Sequence, residues 1–456
     1  MKEYTDEDLQ NIRDIIHNDQ ADKARAELAD MHPADIAELY KSLDLDEAEY
    51  LFKLLDEETS ADVLMELDED DRLKLISDMP AEEIAQTIDH LDTDDAVDLI
   101  QQLDEEDRDE ILSHIDDVEQ AGDIIDLLKY DEDTAGGLMG TEMIVVNENW
   151  SMPECIKQMR MQAEDMDEIY YVYVVDNDYR LRGTLPLKMM LTHPSVSKIK
   201  HVMEADPVSV KADMPIDDVA LDFEKYDLVA MPVVDSIGRL LGRITVDDVM
   251  DKVRESSERD YQLASGISSD IDADDSVLAQ TKARIPWLLV GIASGILASI
   301  ILGSFETQLQ AVTALALFIP IIGGTGGNVG VQASAIVVQG LANGSLDVKN
   351  FAAQLGKEIL VGLLNASVIS AVVLAYNLLT MPSDLAVTLS VSVSLFVVVM
   401  FATILGTVVP LTLEKLHINP ALATGPFIQI ANDIVGLIIY VQVSTCFLRA
   451  MTGMAI

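Results

Sequence analysis

Beyond residue 285 the chain reads as five long apolar stretches, approximately 286–304, 309–340, 353–379, 385–413 and 421–448. Each is long enough to cover a hydrocarbon core of ~30 Å, which takes about 20 helical residues. Backbone in lipid must satisfy its own hydrogen bonds, so each stretch is predicted as a transmembrane helix. Only ten charged side chains fall there, Glu306, Asp347, Glu358, Asp384, Glu414 and Asp433 against Lys349, Lys357, Lys415 and Arg449. The preceding 285 residues carry nearly all of the net charge of −50. An acidic soluble half is therefore joined to an almost uncharged membrane half.

That acidity opposes binding to nucleic acid or to anionic lipid, because both are negative. It suits cations, although an acidic solvated surface is equally open as a reading. Cys155 and Cys446 fit no metal spacing and no disulfide framework. The polar start "MKEYTDEDLQ" is unlike a signal peptide. Basic residues prefer the cytoplasmic ends of spans. Lys282 and Arg284 precede the first span, Lys349 and Lys357 separate the second from the third, and Lys415 separates the fourth from the fifth. Glu306 and Asp384 mark the alternate loops. The expectation is a multi-pass protein of the plasma membrane, with a cytoplasmic N-terminus and an extracytoplasmic C-terminus. Arg449 is mildly discordant with it.

Two internal repeats organise the acidic half. Leu43, Leu55, Leu67, Met79, Leu91, Leu103 and Ile115 recur every 12 residues. Each is followed by Asp or Pro (Asp44, Asp56, Asp68, Pro80, Asp92, Asp104, Asp116), residues that start helices. A second apolar series runs Tyr40, Phe52, Leu64, Ile76, Ile88, Ile100 and Leu112. No such unit can bury its apolar face alone, so a superhelical stack of short helices is predicted. Further on, Val174, Val175, Asp176, Arg180, Leu181 and Gly183 recur 59 residues later as Val233, Val234, Asp235, Arg239, Leu240 and Gly242. Each copy reads strand, turn, strand, helix, and the pair resembles tandem CBS domains.

The membrane half carries two chemical signals. Asp433 lies near the middle of the fifth stretch, in "PFIQIANDIVGLIIY". A carboxylate there costs a few kcal/mol, and its default reading is functional; a protonated Asp bonded between helices is the alternative. Two copies of Asp433 at a two-fold axis would balance a divalent ion, and oxygen-only ligands suit Mg²⁺ or Ca²⁺. The stretch "GGTGGNVG" (323–330) is costly in a helix. One reading is polar backbone lining a cavity, the other close packing of helices through small residues. Gly425-Pro426 reads as a second break, and Pro320 and Pro410 as simple kinks. No phosphate-binding loop and no nucleophile–base arrangement is present in the sequence, so an enzyme is not expected.

An acidic helical domain, two CBS repeats, a polar connecting helix and five spans together resemble the MgtE magnesium transporter family over essentially the whole chain. "GTGGN" (324–328) and the run from Asp433 to Tyr440 carry the resemblance most specifically. It implies a multidomain membrane protein. The parts are an all-α repeat N-domain (1–130), α+β CBS repeats (131–198 and 199–250), a connecting helix and linker (251–284) and a five-helix pore domain (285–456). It further implies a homodimer that takes up Mg²⁺, with Co²⁺ or Mn²⁺ as alternative cargo, and that cytosolic Mg²⁺ closes. The pore residues would be Asp433, Gly324, Gly327 and Asn328. The sensing acids would be Asp217, Asp227, Asp248 and Asp251, with Asp92 and Asp95 placed loosely in the N-domain. Val331 and Gly425 stand where some relatives carry Asn, and Ser256 where some carry an acid. CBS pairs often bind adenine nucleotides through a Thr-x-x-Asp. Thr245 and Asp248 fit this in the second copy, while Pro186 and Met189 stand in the first; ATP at the CBS pair is what the resemblance suggests, against an incomplete motif.

Overall fold

The computed structural model describes residues 6–453, apart from 19, 30, 78, 164–165, 167–168, 195–196, 270, 272–274, 347–350 and 381–384. Lys349 and Asp384, two of the residues marking loop direction, lie outside the described residues. The chain divides into two compact units, Met1–Lys252 and Val253–Ile456.

The first unit begins with ten short helices: α1 (Asp6–His17), α2 (Ala21–Leu28), α3 (Pro33–Tyr40), α4 (Leu45–Phe52), α5 (Glu57–Glu66), α6 (Glu69–Ile76), α7 (Ala81–Ile88), α8 (Thr93–Gln101), α9 (Glu105–Leu112) and α10 (Val118–Leu127). Six of the seven residues predicted to start helices, Asp44 to Asp104, sit at N-caps. The pattern slips at the last unit, where Asp117 rather than Asp116 caps α10 through Glu119 N and Gln120 N. Asp56 Oδ1 accepts from Thr59 N at 3.0 Å, satisfying a donor that the helix leaves open. Along the stack, helices pack on the one two steps further: α3 on α5, α5 on α7, α7 on α9, α4 on α6 and α8 on α10. Tyr40, Phe52, Leu64, Ile76, Ile88 and Ile100 are all buried between them. The 12-residue period thus builds one continuous core, each side chain worth roughly 1.5–3 kcal/mol of burial.

The strands follow. A first sheet has the order β1 (Ile144–Asn147), β2 (Val172–Val175), β3 (Leu181–Leu185), β4 (Glu204–Ala205), and a second the order β5 (Val210–Lys211), β6 (Ala230–Val234), β7 (Leu240–Thr245). Helices α11 (Met152–Gln162), α12 (Leu187–Thr192) and α13 (Ile216–Tyr226) lie between strands, and α14 (Val246–Ser265) follows β7. The two copies exchange edges. Glu204 of the second copy bridges Thr184 of the first, and Gly140 of the first bridges Arg243 of the second. Thr184 and Arg243 are themselves separated by the 59-residue repeat. The two β-turns also face each other, with Leu181 N on Gly238 O and Leu240 N on Tyr179 O, both at 3.0 Å. Tyr179 holds φ +63° where its counterpart is Gly238 at +85°, a conformation that favours glycine.

The second unit holds the rest of α14 and then α15 (Val277–Ser304), α16 (Glu306–Ala311), α17 (Ile319–Ala342), α18 (Phe351–Thr380), α19 (Leu385–Lys415) and α20 (Gly425–Thr452). Five helical spans are long and apolar enough to cross a membrane, as predicted. The second is not one helix from 309. A short helix and a 3₁₀ turn (Thr313–Phe318) precede α17, and Pro320 sits in the first turn of that helix. Proline lacks the N–H an interior position needs, so it starts this helix instead of kinking it. Pro410 lies inside α19. Helix α19 is the centre of the bundle, packed on α17, α18 and α20, whereas the apolar window of α15 is unburied. Tyr440 OH donates to Leu315 O at 2.9 Å inside that core, and the Ser394 and Ser444 hydroxyls meet at 2.7 Å.

Candidate functional site

The glycine stretch does not interrupt its helix. Residues 319–342 are helical throughout, so the expectation of broken, exposed backbone is corrected. Neighbouring helices hold the stretch in place. A Cβ at Gly330 would meet Ile428 Cγ2 at 2.7 Å, and one at Gly326 would meet Val398 Cγ1 at 3.0 Å and collide with the Asn432 amide. The Gly330 carbonyl in turn lies against Gly406 of α19. Those glycines serve close packing, which offsets the ~1 kcal/mol each costs in a helix.

The remaining glycines form a separate stripe. Gly323 and Gly327, and Gly324 and Asn328, are each one turn apart and so share a face. A Cβ at Gly323 would lie 3.4 Å from Asp433 Oδ1, one at Gly327 would lie 3.4 Å from Gln429 Cγ, and one at Gly324 would meet nothing within 4 Å. Asn328 is exposed. The predicted Gly324, Gly327, Asn328 and Asp433 therefore belong to one face of the α17–α20 pair. Gln429, exposed and one turn before Asp433, belongs there too; its i, i+4 spacing from Asp433 was the signal for it.

Asp433 is half-buried, eight residues into α20 and so about 12 Å along it. It lies nearer the middle of the helix than its start. It makes no hydrogen bond or ion pair among the described residues. Its neighbour Asn432 is 1% exposed, and neither amide atom has a partner there. Oxygen donors without a thiolate or imidazole fit a hard divalent cation.

The N-terminal end of α20 also explains Gly425. A 3₁₀ turn (Pro420–Ala423) and an extended Thr424 precede it, so the predicted break is present. Gly425 has φ +21°, and a Cβ there would collide with Ala264 O of α14. Close approach of α14 thus dictates the glycine, and it is not simply a lost oxygen ligand. Asn419 Nδ2 donates to Asp260 Oδ1 at 2.8 Å beside this contact.

A second acidic site lies in the first unit. Asp92 stands at the N-cap position of α8, and Asp94 and Asp95 occupy its first turn. Oxygens of Asp92, Asp94 and Glu142 lie within 4.8 Å of one another. Thr93 N and Oγ1 donate to the Glu142 carboxylate at 3.0 and 3.1 Å. Asp94 Oδ2 lies 2.9 Å from where a Gly140 Cβ would stand, so the glycine leaves room for this carboxylate. Asp248, in the first turn of α14, accepts from Thr245 N at 3.2 Å and from the Thr245 hydroxyl. Burial and mutual repulsion raise these carboxyl pKa values. Asp95 is pushed up to about 7 by burial, then by Asp248 and Asp92. Asp94 is held well above its ordinary value by burial, then by Asp248 and Asp95. Glu142 is raised by burial and Asp92, and Asp248 by burial against the opposing Thr245 bond.

Of the predicted sensing acids, Asp92, Asp95 and Asp248 come together here, joined by Asp94 and Glu142. The sequence reading missed those two because their approach depends on packing between the repeats and the strands. Asp217 and Asp251 are exposed on α13 and α14, and Asp227 is exposed at the C-cap of α13 with φ +54°.

The comparisons with known proteins agree with this architecture. The family described as a divalent cation transporter, MgtE, matches residues 319–443. The MgtE intracellular N domain matches 31–133, and CBS domains match 135–194 and 199–255. The magnesium transporter MgtE of Thermus thermophilus is 35% identical over 337 residues, 71% of this chain and 72% of that protein. The Bacillus subtilis protein of the same name is 29% identical over 325 residues, with the same coverage. A solved cytosolic domain of the Mg²⁺ channel MgtE in complex with ATP superposes with a TM-score of 0.51 at 29% identity, covering 54% of this chain and 99% of that one. The chain belongs to the MgtE family of divalent cation transporters.

Proposed function

We propose that the protein is a homodimeric Mg²⁺ channel of the plasma membrane, with Asp433 as its pore carboxylate. The observation that carries this is Asp433 itself, a half-buried acid in a membrane helix beside a face of glycines and amides. Two copies supply the charge of one divalent ion. The glycine stripe lets a hydrated ion approach the helices, consistent with the reluctance of Mg²⁺ to shed water. Relatives named as magnesium transporters support Mg²⁺ as the cargo. Lys282, Arg284, Lys357 and Lys415 favour an acidic half in the cytosol. An inside-negative potential then drives uptake with ~2.3 kcal/mol per charge per 100 mV.

In this reading cytosolic Mg²⁺ closes the channel. Asp92, Asp94, Asp95, Glu142 and Asp248 repel one another, and a bound divalent ion offsets that repulsion and favours the packed arrangement. Asp217, Asp227 and Asp251 offer further exposed ligands. Helix α14 carries Asp248 in its first turn and Ala264, against Gly425, in its last. Its movement would reach α20 directly. ATP at the CBS pair is supported by the ATP complex of the related cytosolic domain. Asp248 would have to leave Thr245 to hold a ribose.

Mg²⁺ flux into proteoliposomes tests the pore. Asp433→Ala should abolish influx while the protein still purifies as a folded dimer. Parental influx in that variant sinks the assignment, and preferential competition by Co²⁺ or Mn²⁺ would change the cargo.

A further inference from the structure

Arg243 joins three stretches that are far apart in sequence. It is buried on β7, 8% exposed, and its backbone bridges Gly140. Its Nη2 donates to Asp92 Oδ2 at 3.1 Å and its Nε to the Glu142 carbonyl at 2.6 Å. The guanidinium lies 5.7 Å over the Tyr170 ring. The position also breaks the internal symmetry of the pair. Its counterpart 59 residues earlier, Thr184, makes the matching edge bridge to Glu204 as a small neutral residue. Arg72 is a second buried guanidinium, and its charge acts on Asp95, but its donors go to the carbonyls of Leu64, Met65 and Leu67. Arg243, in contrast, donates to a carboxylate of the cluster.

We propose that Arg243 is a built-in counter-cation of the acidic cluster. It holds α8 against the strands when divalent ions are scarce, and it competes with them for Asp92 when they are plentiful. It therefore sets how much of the closed arrangement depends on Mg²⁺. A planar guanidinium suits this role because it stays charged and bonds along a fixed fork, whereas a buried carboxylate cluster left without it keeps its repulsion. The proposal rests on the reading of this cluster as a cation sensor.

Proteinase K digestion of the full-length protein, in EDTA and across a MgCl₂ titration, tests it. In EDTA, Arg243→Met should be cleaved about tenfold faster than the parent between residues 76 and 142. Saturating MgCl₂ should restore resistance. Adding Asp92→Asn to Arg243→Met should bring the EDTA rate back toward the parental one, since the charge that needed neutralising is gone. Arg243→Lys, which keeps the charge, should stay close to the parent. Parental cleavage of Arg243→Met in EDTA overturns the proposal, as does failure of Asp92→Asn to rescue it. Indifference of the parent to MgCl₂ would instead remove the sensor reading, while the EDTA comparison would still decide whether Arg243 compensates the cluster.

Discussion

Two places in this molecule withdraw carboxylates from bulk water, and they handle the charge in opposite ways. The cluster of the first unit crowds five acids but surrounds them with Thr93, Thr245 and Arg243, so repulsion is shared among many bonds. In the membrane unit Glu358 of α18 is buried and accepts from Gln354 at 3.4 Å, whereas Asp433 stands alone beside an amide, Asn432, that has no partner among the described residues. A crowded cluster can tune its own charge by protonation or by an internal cation. A lone carboxylate in a helix bundle has no such reserve and depends on what arrives from outside, a cation or a second copy. A graded sensor suits the first arrangement and an ion path the second.

The largest expected effect separates them directly. Asp433→Asn should cut Mg²⁺ flux by on the order of 100-fold, because one unit charge near a divalent ion is worth several kcal/mol. Asp94→Asn should leave flux intact and instead let it persist at high cytosolic Mg²⁺. Proteoliposome flux with Mg²⁺ varied on each side distinguishes the two; equal loss of flux in both variants would erase the comparison.

Next comes packing. Gly326→Ala places a methyl against Asn432 and Val398, and should lower the thermal stability of the membrane unit by ~1–3 kcal/mol. Gly324→Ala, open to more than 4 Å, should be neutral or gain up to ~1 kcal/mol, since it removes a helical glycine without a clash. Similar melting shifts for both would contradict the division of the stretch into a packed and an open face.

The cluster should also respond to pH. Asp95, Asp94, Glu142 and Asp248 have pKa values raised in the packed form. That form therefore binds more protons than the opened one, and its stability falls as pH rises through about 7 for Asp95. In EDTA, protease resistance should be greater at pH 6 than at pH 8, the window in which Asp95 titrates. Resistance that rises with pH would reverse the argument.

The smallest effect probes Asn432. If its amide stays unpaired, Asn432→Leu should raise stability by ~1 kcal/mol, since burying an unsatisfied amide is costly. A marked loss of stability would reveal an ion, a water or a second copy bonded to it.

Much of the organisation was legible because it is periodic. The 12-residue alternation of Ile88 and Ile100 with Asp92 and Asp104 specified short capped helices and their buried face. The 59-residue duplication specified the strands, and apolar length specified the spans. The glycine stretch was legible as special but not as two faces. Helical periodicity offers both faces equally, and only the positions of Asn432, Ile428 and Gly406 select one for packing.

Asp433 could be found from sequence because a lone charge in an apolar run is improbable on energetic grounds. The acidic cluster of the first unit could not be found that way, since Asp94 and Glu142 are two acids among 80. Thr93 meets Glu142 across 49 residues, and Asp92 meets Arg243 across 151. Sequence by itself determined what each segment becomes, because capping, periodicity and hydrophobic length act within a few residues. Tertiary packing alone decided which acids share a charge and which glycines face Asp433, because electrostatic and steric contacts depend on distance in space, whatever the separation along the chain.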